Sequence, residues 1–236
     1  MTVYRFDVIS LAPEAFSSFK ELGVVGRAFS SGIAELHVHN PREFAYDNYR
    51  KVDDQPYGGG AGMVLKPEPF FAAFDSVPFS LKRRVLLMSP QGQTLSQEKL
   101  WRWSEEYKQL VLICGHYEGF DERIRTIADE EVSIGDVVLT GGELPAMTVV
   151  NGVVRLLPGT VGDPQSLIEE SHSDILLEHP HYTRPAKFRG MEVPSVLRSG
   201  NHQAISKWRQ DQRELRTKYR RPDLYDRWLS KKSSDT

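Results

Sequence analysis

A chain of 236 residues, 39% hydrophobic and 26% charged, has the composition of a globular protein able to bury a real core. Its single cysteine, Cys114, excludes an internal disulfide and a cysteine-rich metal site, which fits a reducing compartment. No stretch approaches the roughly 20 apolar residues of a membrane span, and the first residues lack the pattern of a signal peptide. The expectation is a cytoplasmic protein with no membrane partner.

The formal net charge of −2 hides a division. From His181 onward there are 14 Lys and Arg against 6 Asp and Glu, net +8, leaving 16 against 26, net −10, for residues 1–180. Such asymmetry points to a polyanionic partner for the basic part; a solvated basic surface is the plainer reading.

In chain order, residues 3–9 read as a strand, Pro13-Glu14 opens a helix to about Phe19, and Val24–Phe29 is a second helical piece. Residues 33–39 alternate as a strand, with Leu36 and Val38 on one face. The glycine-rich segment Lys51 to Met63 is too flexible for regular structure and too long for a tight turn, so it is expected to be a working loop. A helix over Pro67–Phe74 follows, then a buried strand over Arg84–Met88 that stops at Ser89-Pro-Gln-Gly92. Thr94 or Ser96 caps a helix through Tyr107. Leu110–Cys114 is continuously apolar, as a central parallel strand should be, and after another helical segment Glu131–Ile134 is the next strand.

Three successive strands thus end in segments bearing Gly, Ser or Pro: Ser89–Gly92, Gly115–Gly119 and Ser133–Pro145. Ligands of open parallel sheets collect at the carboxyl ends of strands, so the series points to a binding site. In the third segment the apolar run Val137, Val138 and Leu139 precedes the pair Gly141 and Gly142, and Glu143 with Pro145 suits a first helical turn. The helix that follows is apolar on most faces. Thr148, Asn151 and Arg155 form its one polar stripe, so the domain or a second subunit must cover the rest. Arg155 there requires either a local carboxylate or an anionic or carbonyl ligand.

Pro158–Pro164 ends this helix, and a polar segment to about Asp174 makes the best domain boundary in the chain. From about Asn201 the sequence is helical. Ile205, Trp208, Leu215 and Tyr219 lie among seven Lys and Arg, a mixture suited to a nucleic-acid backbone, with Trp208 read as core. Lys231–Thr236 are expected to be disordered. The dinucleotide, P-loop, nucleophile-elbow and zinc-protease motifs are all absent. His179 and His181 are assigned to an extended segment, and no metal ligands are assigned.

The motifs Pro56–Met63, Ser89–Gly92, Cys114–Gly119, Asp121–Arg123, Ser133–Asp136, Leu139–Ala146, Pro180–Pro185, Val193-Pro194 and Ser199-Gly200 together resemble the bacterial tRNA (guanine-N1)-methyltransferases of the SPOUT superfamily, over nearly the whole chain. The resemblance implies an α/β fold with a parallel sheet and a deep trefoil knot, plus a small helical C-terminal domain. It implies three parts: a knotted catalytic domain over 1–160, an interdomain linker over 161–178 and a basic tRNA-binding domain over 179–236. It also implies a homodimer with active sites at the subunit interface. S-adenosyl-L-methionine would be held by Met88, Ser89 and Pro90, by Gly115, Tyr117 and Glu118, and by Ser133, Ile134, Gly135, Asp136, Val137, Val138, Leu139, Gly141, Gly142 and Pro145.

The reaction implied is methyl transfer to N1 of the guanosine 3′ of the anticodon, position 37 of the tRNA. Neutral guanine carries a proton on N1, so a base must remove it while a cation or donor holds the charge that grows on O6. Arg155 matches the family's arginine for O6. The family's catalytic aspartate, in an Asp-Ser-Phe segment, aligns with Glu170-Ser-His172, so the base is expected to be Glu170, with Asp174 and Glu169 as stand-ins. Glutamate adds one methylene, which shifts base against linker by about an ångström, enough to affect rate. Ala61 stands where the family often has proline. Mg2+ is a further ion that the resemblance suggests, on Glu118 and Glu170. Other readings are a knotted methyltransferase acting on another RNA position, such as ribose 2′-OH, and a non-catalytic RNA-binding protein.

Overall fold

A computed structural model describes residues 3–163, 167 and 170–234. Its contacts divide the chain into two compact units, Met1–Gly162 and Asp163–Thr236.

The first unit is built on a five-stranded sheet of order β2-β1-β6-β5-β7, in which every pairing is parallel. β1 (Tyr4–Ile9) leads through a 3-10 turn into α1 (Phe16–Phe19) and α2 (Gly23–Ser30), and β2 (Ala34–His39) returns beside β1. In β2 Ala34 and Leu36 are buried while Val38 is half-buried, because β2 is the edge strand. The glycine-rich stretch is not wholly irregular. β3 (Asp53–Asp54) pairs antiparallel with β4 (Val64–Leu65), closing the intervening glycines into a ribbon loop. α3 (Pro67–Asp75) follows.

β5 (Arg83–Thr94) runs well past the expected stop at Ser89. Its pairing with β7 (Glu130–Ser133) slips between Met88 and Gln93, both of which face Val132. The loop-like residues Ser89–Gly92 are therefore a bulge inside a long strand. Gly92 allows it, since a Cβ there would sit 2.4 Å from the Glu131 carbonyl carbon and the Val132 nitrogen. α4 (Gln97–Glu106) starts at Ser96, whose hydroxyl accepts from the Lys99 amide. β6 (Gln109–Cys114) is buried along its whole length, as a central parallel strand should be.

One face of the sheet offers Ile9, Val85, Leu87, Val111 and Ile113 to Phe70, Ala73, Val77, Val52, Leu65 and Ile124. On the same side of β1 the buried carboxylate of Asp7 is met by Arg5 at 2.8 Å, His39 at 2.8 Å and the Gln109 side-chain amide at 2.7 Å. Burial alone would raise this carboxyl, but hydrogen bonds from His39, Arg5 and Gln109 outweigh it and hold its pKa at about 2.

α5 (Glu143–Val154) packs against β6, α4 and α2. Gly152 lets Leu100 of α4 approach, for a Cβ there would meet Leu100 Cδ1 at 2.6 Å. Val149, Val150, Val153 and Val154 are buried, whereas Leu144, Thr148 and Asn151 are exposed along the opposite stripe. The first unit thus covers one side of α5, not nearly all of it.

The second unit contains the short hairpin β8 (Lys187–Phe188) and β9 (Met191–Glu192), then α6 (His202–Arg220), capped by the Asn201 side chain on the Ala204 amide. α7 (Pro222–Ser234) continues through Lys231–Ser234, a stretch expected to be disordered. Trp208 is half-buried with its ring centroid 6.4 Å from that of Tyr182, while Leu215 and Tyr219 are exposed. Thr217 is buried where its hydroxyl accepts from the Leu177 amide at 2.9 Å.

Candidate active site

Because the strands are parallel, the carboxyl ends of β5, β6 and β7 open on one edge of the sheet. A cavity of about 420 Å³ lies there. It is walled by Met88–Gln91 of the β5 bulge, by Gly115–Phe120 after β6, and by residues between Val132 and Pro145 after β7. Of the residues expected to hold a cofactor, Met88, Ser89, Pro90, Gly115, Tyr117, Glu118, Ser133, Ile134, Val137, Val138, Leu139, Gly141, Gly142 and Pro145 line it. Gly135 and Asp136 do not. They form a tight turn: Gly135 takes φ 141°, its amide donates to Ser133 Oγ at 3.1 Å and its carbonyl accepts from that hydroxyl at 2.8 Å.

The floor is where two loops meet. The Gly142 amide donates to the Gly115 carbonyl at 2.9 Å, and His116 and Gly141 form an antiparallel bridge. A Cβ at Gly142 would lie 2.7 Å from Cys114 Cα, and one at Gly141 would lie 2.4 Å from Glu143 Oε2 and 2.8 Å from His116 Cε1. Close backbone approach therefore requires glycine at 142, whereas at 141 a Cβ would press on the Glu143 and His116 side chains. The apolar run Val137–Leu139 is not a strand. β7 ends at Ser133, and Val138 is 86% exposed at the mouth of the cavity.

The wall also holds residues that sequence reasoning missed: His116, Gln91, Glu122 and Arg125. Glu143, buried in the first turn of α5, accepts from the Ser10 hydroxyl at 2.5 Å, and the same oxygen lies 2.8 Å from His116 Nε2. Arg125 contacts Glu131, Glu122 at 2.9 Å and Gln91 at 3.2 Å, tying the bulge to the segments on either side. His116 lies inside a motif already singled out; Arg125 has no local signal, since only folding brings Gln91 and Glu131 beside it. Burial, reinforced by the Glu143 charge, pushes the Cys114 thiol well up.

The glycine-rich ribbon loop packs against the second wall. The Glu118 amide donates to the Met63 carbonyl at 3.1 Å, and a Cβ at Gly62 would strike the Glu118 side chain at 2.4 Å. Among the described residues no group of three or more His, Cys, Asp or Glu is placed to hold a metal ion.

Arg155 is half-buried at the C-terminal end of α5. At about 1.5 Å rise per residue it is roughly 20 Å along the helix from Gly142, beyond the reach of a guanidinium to the cavity of its own chain. Glu170 belongs to the second unit, where its carbonyl accepts from the Ser173 amide at 3.2 Å and the Ser173 hydroxyl at 2.7 Å. Asp174 is engaged in a turn: it accepts from the Leu176 amide at 2.9 Å and from Arg213 at 2.5 Å. Glu169 lies outside the described residues. His179 is buried and His181 binds Glu178 at 2.6 Å; burial lowers the His179 pKa.

Comparison with known proteins bears on this arrangement directly. The family model described as "tRNA (Guanine-1)-methyltransferase TrmD" matches residues 4–227. The chain is 73% identical over 228 residues to the tRNA (guanine-N(1)-)-methyltransferase of Synechococcus sp. (strain CC9311), spanning 97% of this chain and 95% of that protein. It is 70% identical to the protein of that name from Synechococcus sp. (strain WH7803), over 100% and 97%. With the one from Synechocystis sp. (strain ATCC 27184 / PCC 6803 / Kazusa) it shares 56%, over 98% and 99%. A match along both lengths, with the parallel sheet and its glycine-floored cavity, makes the assignment plain: this chain belongs to the tRNA (guanine-1)-methyltransferase family.

Proposed function

We propose that this protein transfers a methyl group from S-adenosyl-L-methionine to N1 of a guanosine in tRNA, the one at position 37. The observation that carries the reading is the cavity at the strand ends, whose floor forms where Gly142 packs on Cys114 with no room for a Cβ. Its size and its mixed lining suit a nucleoside with an amino-acid arm. When bound there, S-adenosyl-L-methionine supplies an electrophilic methyl on a sulfonium sulfur.

The protein's own residues do the rest. Backbone groups of the cavity wall that are not engaged with one another offer hydrogen bonds to a purine and ribose, and Val137–Leu139 give apolar cover. Glu170 takes the N1 proton, and Arg155 holds the charge that develops on O6, which together leave N1 a competent nucleophile. Arg155 and the cavity stand at opposite ends of α5, so a complete site takes Arg155 from a second copy. The exposed stripe of Leu144, Thr148 and Asn151 is the face on which that copy would sit. A homodimer with shared sites is therefore part of the reading.

So is the family's trefoil knot. The order β6-β5-β7 requires the chain leaving β6 to cross the end of β5 and pair on its far side. The exposed Lys207, Arg209, Lys218, Arg220 and Arg227 of α6 and α7 suit the phosphates of tRNA. Among the described residues no helix is long and apolar enough to cross a membrane, and we place the activity in the cytoplasm, with the tRNA pool.

The test is methyl transfer from labelled S-adenosyl-L-methionine to a tRNA transcript with guanosine at positions 36 and 37, followed by nucleoside mass spectrometry. N1-methylguanosine is expected; label on a ribose oxygen, or none, overturns the reading. Glu170→Ala and Arg155→Ala should each lower turnover by about 10²- to 10⁴-fold with cofactor binding retained. Near-normal turnover in either variant removes that residue from the chemistry.

A further inference from the structure

Two tyrosines beside the cavity have no structural reason to stand where they do. Tyr46 is 87% exposed and Tyr49 85% exposed, in a segment whose two ends are fastened to the core: Phe44 packs against it and Val52 is fully buried within it. Between these anchors the backbone holds itself. Asn40 Oδ1 accepts from the Arg42 amide at 3.0 Å, Asp47 Oδ1 accepts from the Tyr49 amide at 2.8 Å, and Asp47 Oδ2 accepts from the Lys51 amide at 3.1 Å. The Arg50 amide donates to the Asp47 carbonyl at 3.0 Å, and Arg50 takes the left-handed φ of 52°. A turn that satisfies its own polar groups needs no aromatic ring for stability, yet it presents two to solvent.

The turn is continuous with the cavity. Arg42 reaches the Arg50 carbonyl with one terminal nitrogen and the hydroxyl of Tyr117, in the cavity wall, with the other, each at 3.5 Å. Arg42, Arg50 and Lys51 are outweighed by Glu43, Asp47, Asp53 and Asp54 in the same stretch. A phosphate-led footprint is thus disfavoured, and the rings themselves are the feature left to bind with.

We propose that Tyr46 and Tyr49 form a stacking platform for unpaired tRNA bases flanking the target guanosine, held at a fixed distance from the cavity by Arg42. This rests on the tRNA reading above and adds residues that position the substrate. Stacking a base on an aromatic ring accepts any base, and a turn pinned at both ends gives up little entropy on binding. The phenol hydroxyl is not required, so phenylalanine should serve as well.

The experiment uses the full chain with Tyr46→Ala, Tyr49→Ala, the double variant and the two Phe substitutions. An end-labelled anticodon stem-loop transcript with guanosine at positions 36 and 37 is titrated by fluorescence anisotropy. Each Ala change should weaken binding about 5- to 100-fold. Each Phe change should stay within about 2-fold of the parent, and calorimetric binding of S-adenosyl-L-methionine should be unchanged. In the methyl-transfer assay KM for tRNA should rise while kcat holds within about 3-fold. Unaltered transcript binding in the double Ala variant overturns the proposal, as does a Phe variant as weak as Ala. A loss of dimer mass in sedimentation on Ala substitution also overturns it, since the rings would then be a contact between copies. Anisotropy does not depend on turnover, so loss of stacking is separable from failure of the methyl-transfer reading.

Discussion

The carboxylate of Glu143 and the imidazole of His116 meet at 2.8 Å beneath the cavity, on the oxygen that also accepts from the Ser10 hydroxyl at 2.5 Å. One buried acidic side chain thereby joins the end of β1, the loop after β6 and the first turn of α5.

Glu143→Ala leaves a buried hydroxyl and a ring nitrogen without their acceptor, so unfolding free energy should fall by about 2 to 4 kcal/mol. Glu143→Gln keeps an acceptor for Ser10 and should lose less. Urea denaturation of the three proteins measures this; a change under about 0.5 kcal/mol in the Ala variant would mean that the three segments are held by other contacts.

Gly142→Ala places a methyl group 2.7 Å from Cys114 Cα, a backbone atom that cannot move without shifting β6. Stability should drop by about 1 to 3 kcal/mol, and S-adenosyl-L-methionine affinity, read by calorimetry, should fall at least about tenfold. Affinity equal to that of the parent would show that the floor is more yielding than its geometry suggests.

The Asp7 carboxyl, held at about 2 in the folded chain, ionises more readily there than in the unfolded chain, where the usual value is about 3.9. Its contribution is therefore complete above about pH 4 and is lost as pH falls through about 2. The difference corresponds to on the order of 2 kcal/mol. Denaturant titrations between pH 5 and 2 should show a steeper acid loss in the parent than in Asp7→Asn. Parallel curves would sink the assignment.

Cys114 is fully buried, and both burial and Glu143 keep its thiol protonated. A thiol-specific reagent at neutral pH should label the native protein at least about a hundredfold more slowly than the denatured one. Rapid native labelling would indicate that the floor of the cavity opens.

Much of the first unit was legible because its signals are local. The unbroken apolar run of β6 marks a strand buried on both faces, and Ser96 marks a helix start because its side-chain oxygen meets a free amide three residues on. The glycines of the third loop flagged a close approach, though not to what. The β5 bulge was misread for an equally physical reason. Ser-Pro-Gln-Gly carries every mark of a turn, and only the neighbouring β7, pairing with both Met88 and Gln93, keeps it extended. The strand expected over Glu131–Ile134 was placed nearly right, and the apolar run Val137–Leu139 beyond it lies at the mouth of the cavity.

By itself the sequence determined the α/β alternation, the glycine-bearing loops after β6 and β7, the charge division and, through its motifs, the family. Those properties depend on residue type and spacing along the chain, and both are visible in one dimension. The tertiary structure decided what lies beside what. It set His116 and Ser10 on one oxygen of Glu143, drew Gln91 and Glu131 to Arg125, and closed the ribbon loop onto Glu118. It also put the whole length of α5 between Arg155 and the cavity. Contacts between residues distant in sequence are paid for by chain entropy and recovered by packing, so no local pattern could have announced them.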